Sequence, residues 1–183
     1  MHRHVLSALA ACLVVACEQP PGPITSPGQS HASHAAPRSS AAAGAEREVA
    51  QLRALTARFH QFETAAKAGW GTKITECLSN PGVGGMGYHY GNTTLIDGVV
   101  DAQQPELLLY EPQKNGKLRF VAVEYIVPFT AWTATEPPKL YGQSFHRNEG
   151  FGLWVLHVWH FRNNPSGIFM DWNPEVSCQF ASR

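Results

Sequence analysis

The sequence predicts an α+β domain: an N-terminal amphipathic helix packed on a mostly antiparallel β-sheet, with partial closure of that sheet into a barrel left open. Three observations predict it. Apolar residues recur at helical spacing across residues 45–68, Asn115-Gly116 separates two apolar runs, and Leu153 to Phe161 is apolar on both of its alternating faces. Helix and strands segregated along the chain, rather than alternating, favour α+β over a parallel sheet.

In the helix, Val49, Leu52, Leu55, Phe59, Phe62 and Ala66 form one apolar stripe, and Gly69 supplies a stop. Arg47, Arg58, Glu63 and Lys67 lie off the stripe as a solvated face, and His60 carries no assigned role. Lys73 to Leu78 reads as a short strand carrying Cys77. The glycine-rich stretch Asn80 to Asn92 requires backbone that turns sharply or approaches something closely. A phosphate-cradling loop would need a following helix and a Lys-Ser or Lys-Thr, which are missing, so nucleotide binding is disfavoured. Leu95 to Pro105 is loop, with Asp97 and Asp101 as turn-formers.

Asn-Gly between Glu106–Glu111 and Leu118–Val127 is a strong hairpin signal. A two-residue loop at Asn115-Gly116 pairs Leu107 with Glu124, Leu109 with Ala122 and Glu111 with Phe120. Glu124 then shares a face with Leu107, Leu109, Leu118, Phe120, Ala122 and Ile126. A carboxylate there must be paired, metal-bound or protonated, because an isolated buried charge is too costly. Pro128 to Gly150 is long for a connection in a compact domain and is expected to form a lid or mouth, with Tyr141, His146 and Glu149 in it. In the strand from Leu153, pleating sends His157 and His160 to opposite faces, so this His-x-x-His cannot chelate one ion. Asn164-Pro165-Ser166-Gly167 is a turn, after which Ile168 to Trp172 is expected to return as a hairpin partner.

With 183 residues, zero formal net charge and 15% charged residues, the chain shows no basic face for nucleic acid. No run of eighteen apolar residues occurs beyond the N-terminus, so no mature membrane helix is expected. Met1-His2-Arg3-His4 is basic, and the apolar residues to Ala16 precede Cys17. This resembles a bacterial lipoprotein signal, which implies cleavage before Cys17, acylation of its thiol with diacylglycerol and palmitate, and membrane anchoring in the cell envelope. An ordinary secretory signal cut elsewhere is the alternative. Glu18 in place of Asp gives the outer membrane a mild preference, with the domain in the periplasm or outside the cell. The expected map is a signal peptide at 1–16, a lipidated Cys and Pro/Ser/Ala tether at 17–44 containing solvated His31 and His34, and one globular domain at 45–183. With Cys12 removed and Cys17 lipidated, Cys77 and Cys178 remain, and an oxidising envelope predicts a disulfide between them.

Gly87-Tyr88-His89-Tyr90, Pro105 to Pro112, Val121-Ala122-Val123-Glu124-Tyr125, Leu140-Tyr141-Gly142-Gln143, Leu156-His157-Val158-Trp159 and Trp172 to Cys178 resemble blocks shared by a group of uncharacterised bacterial secreted proteins and lipoproteins. The resemblance spans roughly residues 69–178 and carries no activity. Those proteins have a longer insert with Gly-His-Glu-Pro where this chain has His146 to Gly150.

The sharpest functional expectation joins His89, Glu124 and His157 into one site from three strands. His146 or Glu149 would close over it, and Tyr88, Tyr125 and Trp159 would stand around it. Two imidazoles and a carboxylate suit Fe, Zn, Mn or Cu, with an open position for a small-molecule ligand, and a separation beyond about 8 Å would exclude shared ligation. The set is similar to that of cupins, but their His-x-His is replaced by Tyr88-His89-Tyr90 and that family is not assigned. The expected function is therefore an envelope lipoprotein binding a small ligand or a transition-metal ion. The alternatives are a metal-dependent enzyme, and a structural or protein-binding domain in which the three groups are hydrogen-bonded core. A cysteine nucleophile is disfavoured by the expected disulfide, and a serine triad by the absence of Gly-x-Ser-x-Gly around Ser144 or Ser166. Glu111, before Pro112 at a strand end, is expected to face solvent rather than pair catalytically with Glu124.

Overall fold

The computed structural model describes residues 40–182; the expected signal peptide, Cys17 with its lipid, and His31 and His34 of the tether lie outside the described residues. Two helices come first, α1 (Ser40–Thr56) and α2 (Phe62–Lys67), joined by a 3-10 turn at Ala57–His60. Strands β1 (Thr72–Asn80), β2 (Gly84–Gly91), β3 (Leu107–Pro112) and β4 (Leu118–Pro128) follow. After them come β5 (Lys139–Leu140), β6 (Gln143–Ser144), β7 (His146–Asn148) and β8 (Leu153–Val158). The architecture is α+β with strand the larger part. Six strands in the order β1-β2-β3-β4-β8-β7, antiparallel throughout, make a curled sheet that stays an open half-barrel with β1 and β7 as its edges. Among the described residues no helix is long and apolar enough to cross a membrane.

The expected single helix over 45–68 is two. It begins at Ser40, so residues 40–44 are helical rather than tether, as the good helix formers Ala41, Ala42 and Ala43 favour. It breaks at Gln61, which is extended at φ −92° and ψ 107°. Thr56 Oγ1 donates back to Leu52 O at 2.7 Å, a bond that bends helices. The Phe59 carbonyl beside the break is captured by Tyr110 Oη at 2.7 Å. Breaking there lets Phe59 stack on Trp70 at 5.1 Å and Phe62 reach Tyr90 at 4.4 Å. Thr56 takes the buried place expected of Leu55, which is 45% exposed.

The β3–β4 hairpin departs from the expected register twice, and the departures cancel. Gly116 donates to Gln113 O and Gln113 to Lys117 O, both at 2.9 Å, which makes a three-residue loop with Gly116 at φ 75°. That slip pairs Glu111 with Arg119 instead of Phe120. Tyr110 then faces Phe120 while Leu109 faces Ala122, so Val121 is an extra residue in β4. Its carbonyl accepts from Phe161 N at 3.3 Å and Arg162 N at 3.2 Å, taking up the chain that leaves β8. Beyond this bulge the expected pairing of Leu107 with Glu124 holds. Before it, Leu118 and Phe120 turn to the opposite face from Glu124, because a one-residue slip inverts every side chain.

The sheet therefore has two dissimilar faces. Leu52, Phe59, Tyr110, Phe120, Tyr125, Leu156 and Val158 fill the core under the helices, whereas Leu107, Leu109, Ala122, Ile126, Val155 and Trp159 make a smaller core on the other face.

Two further expectations are corrected. Residues 128–150 are not a bare lid: β5 and β6 form a miniature hairpin, and β7 adds to β8 as the sheet's edge. Ile168 to Trp172 forms no strand, although the turn exists with Gly167 N donating to Asn164 O at 3.0 Å. β7 lies beside Leu153–Val155 only; past it Ile168 O accepts from Trp159 N at 2.9 Å, after which the chain crosses to β2, where Gly85 and Asn173 exchange both backbone bonds at 3.0 Å. This explains the glycine-rich stretch, since a Cβ on Gly85 would stand 2.7 Å from Val176 O and one on Gly87, at φ 92°, 2.4 Å from Tyr110 O. Close approach of other backbone to β2 is thus the cause. The same crossing brings Cys178 to Cys77, which are disulfide-bonded as expected, 101 residues apart in sequence with Cα atoms at 5.8 Å.

Candidate metal centre

On the face away from the helices, register alone sets the site. Glu124 on β4 is the direct partner of His157 on β8, and two strands away His89 on β2 is paired with Leu109. The curl of the sheet folds these neighbours toward one point. His89 Nε2 lies 3.4 Å from Glu124 Oε2, and His157 Nε2 lies 3.7 Å from Glu124 Oε1. One ligand atom from each residue falls within 4.8 Å of the others, well inside the limit for shared ligation, so the group could hold a metal ion. All three residues are buried, with exposures of 3% for His89, 7% for Glu124 and 2% for His157. Two ligands each about 2.1 Å from one ion stand about 3.0 to 3.4 Å apart, close to the two separations from Glu124, while the imidazole nitrogens, bounded by 4.8 Å, would have to draw together.

Both imidazoles are aimed by a hydrogen bond on the far nitrogen. Thr75 Oγ1, on the β1 residue paired with His89, bonds His89 Nδ1 at 2.8 Å. Asp171 Oδ1 accepts from His157 Nδ1 at 3.1 Å, and its other oxygen lies 3.1 Å from His146 Nε2. The two Nε2 atoms are thereby left facing Glu124, and His157 Nε2 has no hydrogen-bond partner among the described residues. Trp159 lies parallel to the His157 ring, tilted 11° with centroids 6.4 Å apart, and is pinned by its indole N–H donating to Met170 O.

Electrostatics agree with that geometry. Burial and the neighbouring His157 push the His89 imidazole down to about 3, keeping it neutral. Burial pushes the Glu124 carboxyl up. Burial also pulls on His157, but the Glu124 charge and the Asp171 hydrogen bond outweigh it and raise that imidazole. Burial opposes ionisation of Asp171 too, yet the hydrogen bonds from His146 and His157 hold its carboxyl well below the usual range. One buried acid thus faces two imidazoles, of which His89 is held neutral and His157 favours its protonated form.

Of the residues expected around the centre, Trp159 and His146 adjoin it. Tyr88 and Tyr125 do not, because residues next to a ligand on a strand point to the far side of the sheet. Tyr125 Oη bonds Ala102 O and Tyr141 Oη, both at 2.7 Å, and Tyr88 Oη accepts from Ser182 N at 3.2 Å. Glu149 is on the surface and pairs with Arg147 at 2.6 Å, so it closes over nothing. His160 faces the helices as expected, bonded to Thr56 Oγ1 at 2.9 Å. Glu111 is buried rather than solvent-facing and accepts from Ser177 N at 3.1 Å. Sequence reasoning missed Thr75 and Asp171, the residues that orient the ligands. Thr75 was findable once β1 and β2 were paired, whereas Asp171 carries no signal without the crossing of the chain after Gly167.

A cavity of about 90 Å³ opens onto the centre, walled largely by aliphatic side chains of β1, β2, β3, β4 and β8. No family model, no curated protein and no solved structure matches the chain.

Proposed function

We propose that this domain binds one divalent transition-metal ion through His89 Nε2, the Glu124 carboxylate and His157 Nε2. The observation carrying this is the orientation of the imidazoles: each is held from behind, by Thr75 or Asp171, with its second nitrogen turned toward one buried carboxylate. Metal-ligating histidines are held in this way, the outer hydrogen bond fixing both tautomer and ring angle. A purely structural cluster would satisfy its nitrogens, and His157 Nε2 is left unsatisfied in the interior at the cost of an unmade hydrogen bond. A two-histidine, one-carboxylate set with vacant positions suits Fe(II) and Zn(II) best, with Mn(II) and Cu(II) as poorer fits.

The test is metal analysis of the purified protein by mass spectrometry, with titration of the metal-free form. One ion per chain is expected in the wild type. His157→Ala and Glu124→Gln should each lose at least 100-fold in affinity, whereas His160→Ala, which alters the buried histidine on the opposite face, should keep full stoichiometry. Retention of metal by both ligand variants would overturn the assignment.

We further infer that the domain is carried in the bacterial envelope on a lipid at Cys17. The basic start, short apolar core and following cysteine support this, as does a disulfide suited to an oxidising compartment. Labelled palmitate should enter the wild-type chain and be absent from Cys17→Ser; equal labelling of both would refute it.

A further inference from the structure

The geometry points to a small uncharged molecule, of the size of dioxygen or nitric oxide, as the exogenous ligand of the metal held by His89, Glu124 and His157. This rests on the metal assignment and goes beyond it by naming what binds at the vacant positions.

Size comes first. An apolar cavity of about 150 Å³ accepts benzene, and the cavity on the centre has about 90 Å³. A ring does not fit, and two or three heavy atoms do. The cavity is bounded by Leu78, Met86, Leu107, Ile126, Leu153 and Val155, of which Leu107, Ile126 and Val155 are buried. These side chains belong to the sheet, and Asp171 and the exposed Phe151, between β7 and β8, add to the lining.

Charge comes second. A divalent ion brings two positive charges, and the Glu124 carboxylate cancels one. The other would be offset by Asp171, whose carboxylate accepts from His157 Nδ1 and is shared with His146, a further basic group on the cavity. With that balance made by the protein, an anion at the vacant position would leave a net negative charge in an apolar interior, which is costly. No lysine or arginine lines the cavity to offset it. Water finds hydrogen-bonding partners in Thr75, His146, Asn148 and Asp171, which also line the cavity, so a neutral ligand must displace it. A neutral diatomic needs no such partner. Binding alone is assigned, with no bond to the ligand broken.

Nitric oxide serves as the probe. The protein is loaded anaerobically with Fe(II), the bound iron counted, and nitric oxide added while the half-integer-spin resonance of iron–nitrosyl is recorded; azide is titrated in parallel. One nitrosyl per bound iron is expected, with azide binding at least 100-fold more weakly. Val155→Phe, which fills the cavity, should keep its iron and lose at least 10-fold in nitric oxide affinity, and Leu107→Phe provides a second filling should the first fail to fold. Stoichiometric iron with no nitrosyl signal, or azide binding as tightly as nitric oxide, would overturn the ligand class and leave the metal assignment standing. Failure to bind iron, zinc or manganese at all would overturn both.

Discussion

Removing the Cys77–Cys178 bridge is expected to lower stability by about 4 to 5 kcal/mol and to weaken metal binding with it. The first part follows from loop closure. The cysteines are 101 residues apart, and a closed loop of about 100 residues restricts the unfolded chain by about 4.7 kcal/mol in the chain-entropy treatment. That is a large share of the 5 to 15 kcal/mol that typically holds a domain together. The second part follows from what the bridge joins. Cys77 sits on β1 two residues from Thr75, and Cys178 ends the segment that begins with Asp171 and crosses β2 at Asn173. Thr75 and Asp171 are the groups that aim His89 and His157. Both ride on the periphery of the sheet, β1 as an edge strand and the crossing segment through an isolated bridge and side-chain bonds, and the disulfide is the covalent tie between them. Urea unfolding of the wild type with and without reductant, and of a Cys77→Ala, Cys178→Ala variant, measures the first part; metal titration of the same variant measures the second. An unchanged unfolding midpoint would show that the crossing is held by packing at Asn173 and Val176 alone.

The ligands themselves were legible in the sequence for a specific reason. Glu124 stands out as a carboxylate in an apolar run, and an alternating strand assigns His157 a face without any tertiary knowledge. The pairing of Glu124 with His157 needed one more fact, that β8 lies beside β4, which no short-range signal contains. The errors are of one kind. Tyr88 and Tyr125 were drawn in because they neighbour ligands in the chain, when a pleated strand puts such neighbours on opposite sides. Leu118 and Phe120 were placed on the ligand face because the bulge at Val121 is invisible locally. It exists to receive Phe161 and Arg162, about forty residues on. The turn before Asp171 is a good one and reads as a hairpin, yet the returning chain gives β8 one backbone bond, from Trp159 N to Ile168 O, before it leaves for β2. Local chemistry thus fixes the elements and the bearers of chemistry, and long-range pairing decides what surrounds them.

The two faces of the sheet also divide the work. Under the helices, aromatic packing of Phe59, Phe62, Tyr110 and Phe120 is dense, and the polar atoms there, such as Tyr110 Oη and His160 Nε2, are satisfied. On the other face the core is small and aliphatic, and it holds the ligand set with His157 Nε2 unpaired. Stability can therefore be drawn from one side while the other carries a group that could hold an ion. Burial of acids has its own consequence for stability, seen most clearly at Glu106.

Glu106→Gln is expected to stabilise the protein in mild alkali, on the order of 4 kcal/mol at pH 9, and to remove a fall in stability that the wild type should show with rising pH. Glu106 is 3% exposed, and its carboxyl oxygen accepts from Ile126 N at 3.1 Å. Burial, with smaller contributions from Asp97 and Glu124, pushes the carboxyl from an ordinary 4.5 up to about 8. Between those values the folded chain keeps a proton that the unfolded chain has released. Where the folded state binds more protons, stability falls as pH rises. The contribution is thus fully favourable below about 4.5, declines through neutrality, and is lost above about 8, at about 1.4 kcal/mol for each unit of difference. Glutamine is neutral at every pH, has nearly the same shape, and keeps an oxygen for Ile126 N. Unfolding free energies of wild type and variant at pH 5, 7 and 9 should therefore nearly coincide at the first and diverge steadily toward the last, the difference cancelling every other titrating group. A variant no more stable than wild type at pH 9 would mean that Glu106 ionises without penalty, with water or a cation reaching it from the loop that carries Asp97.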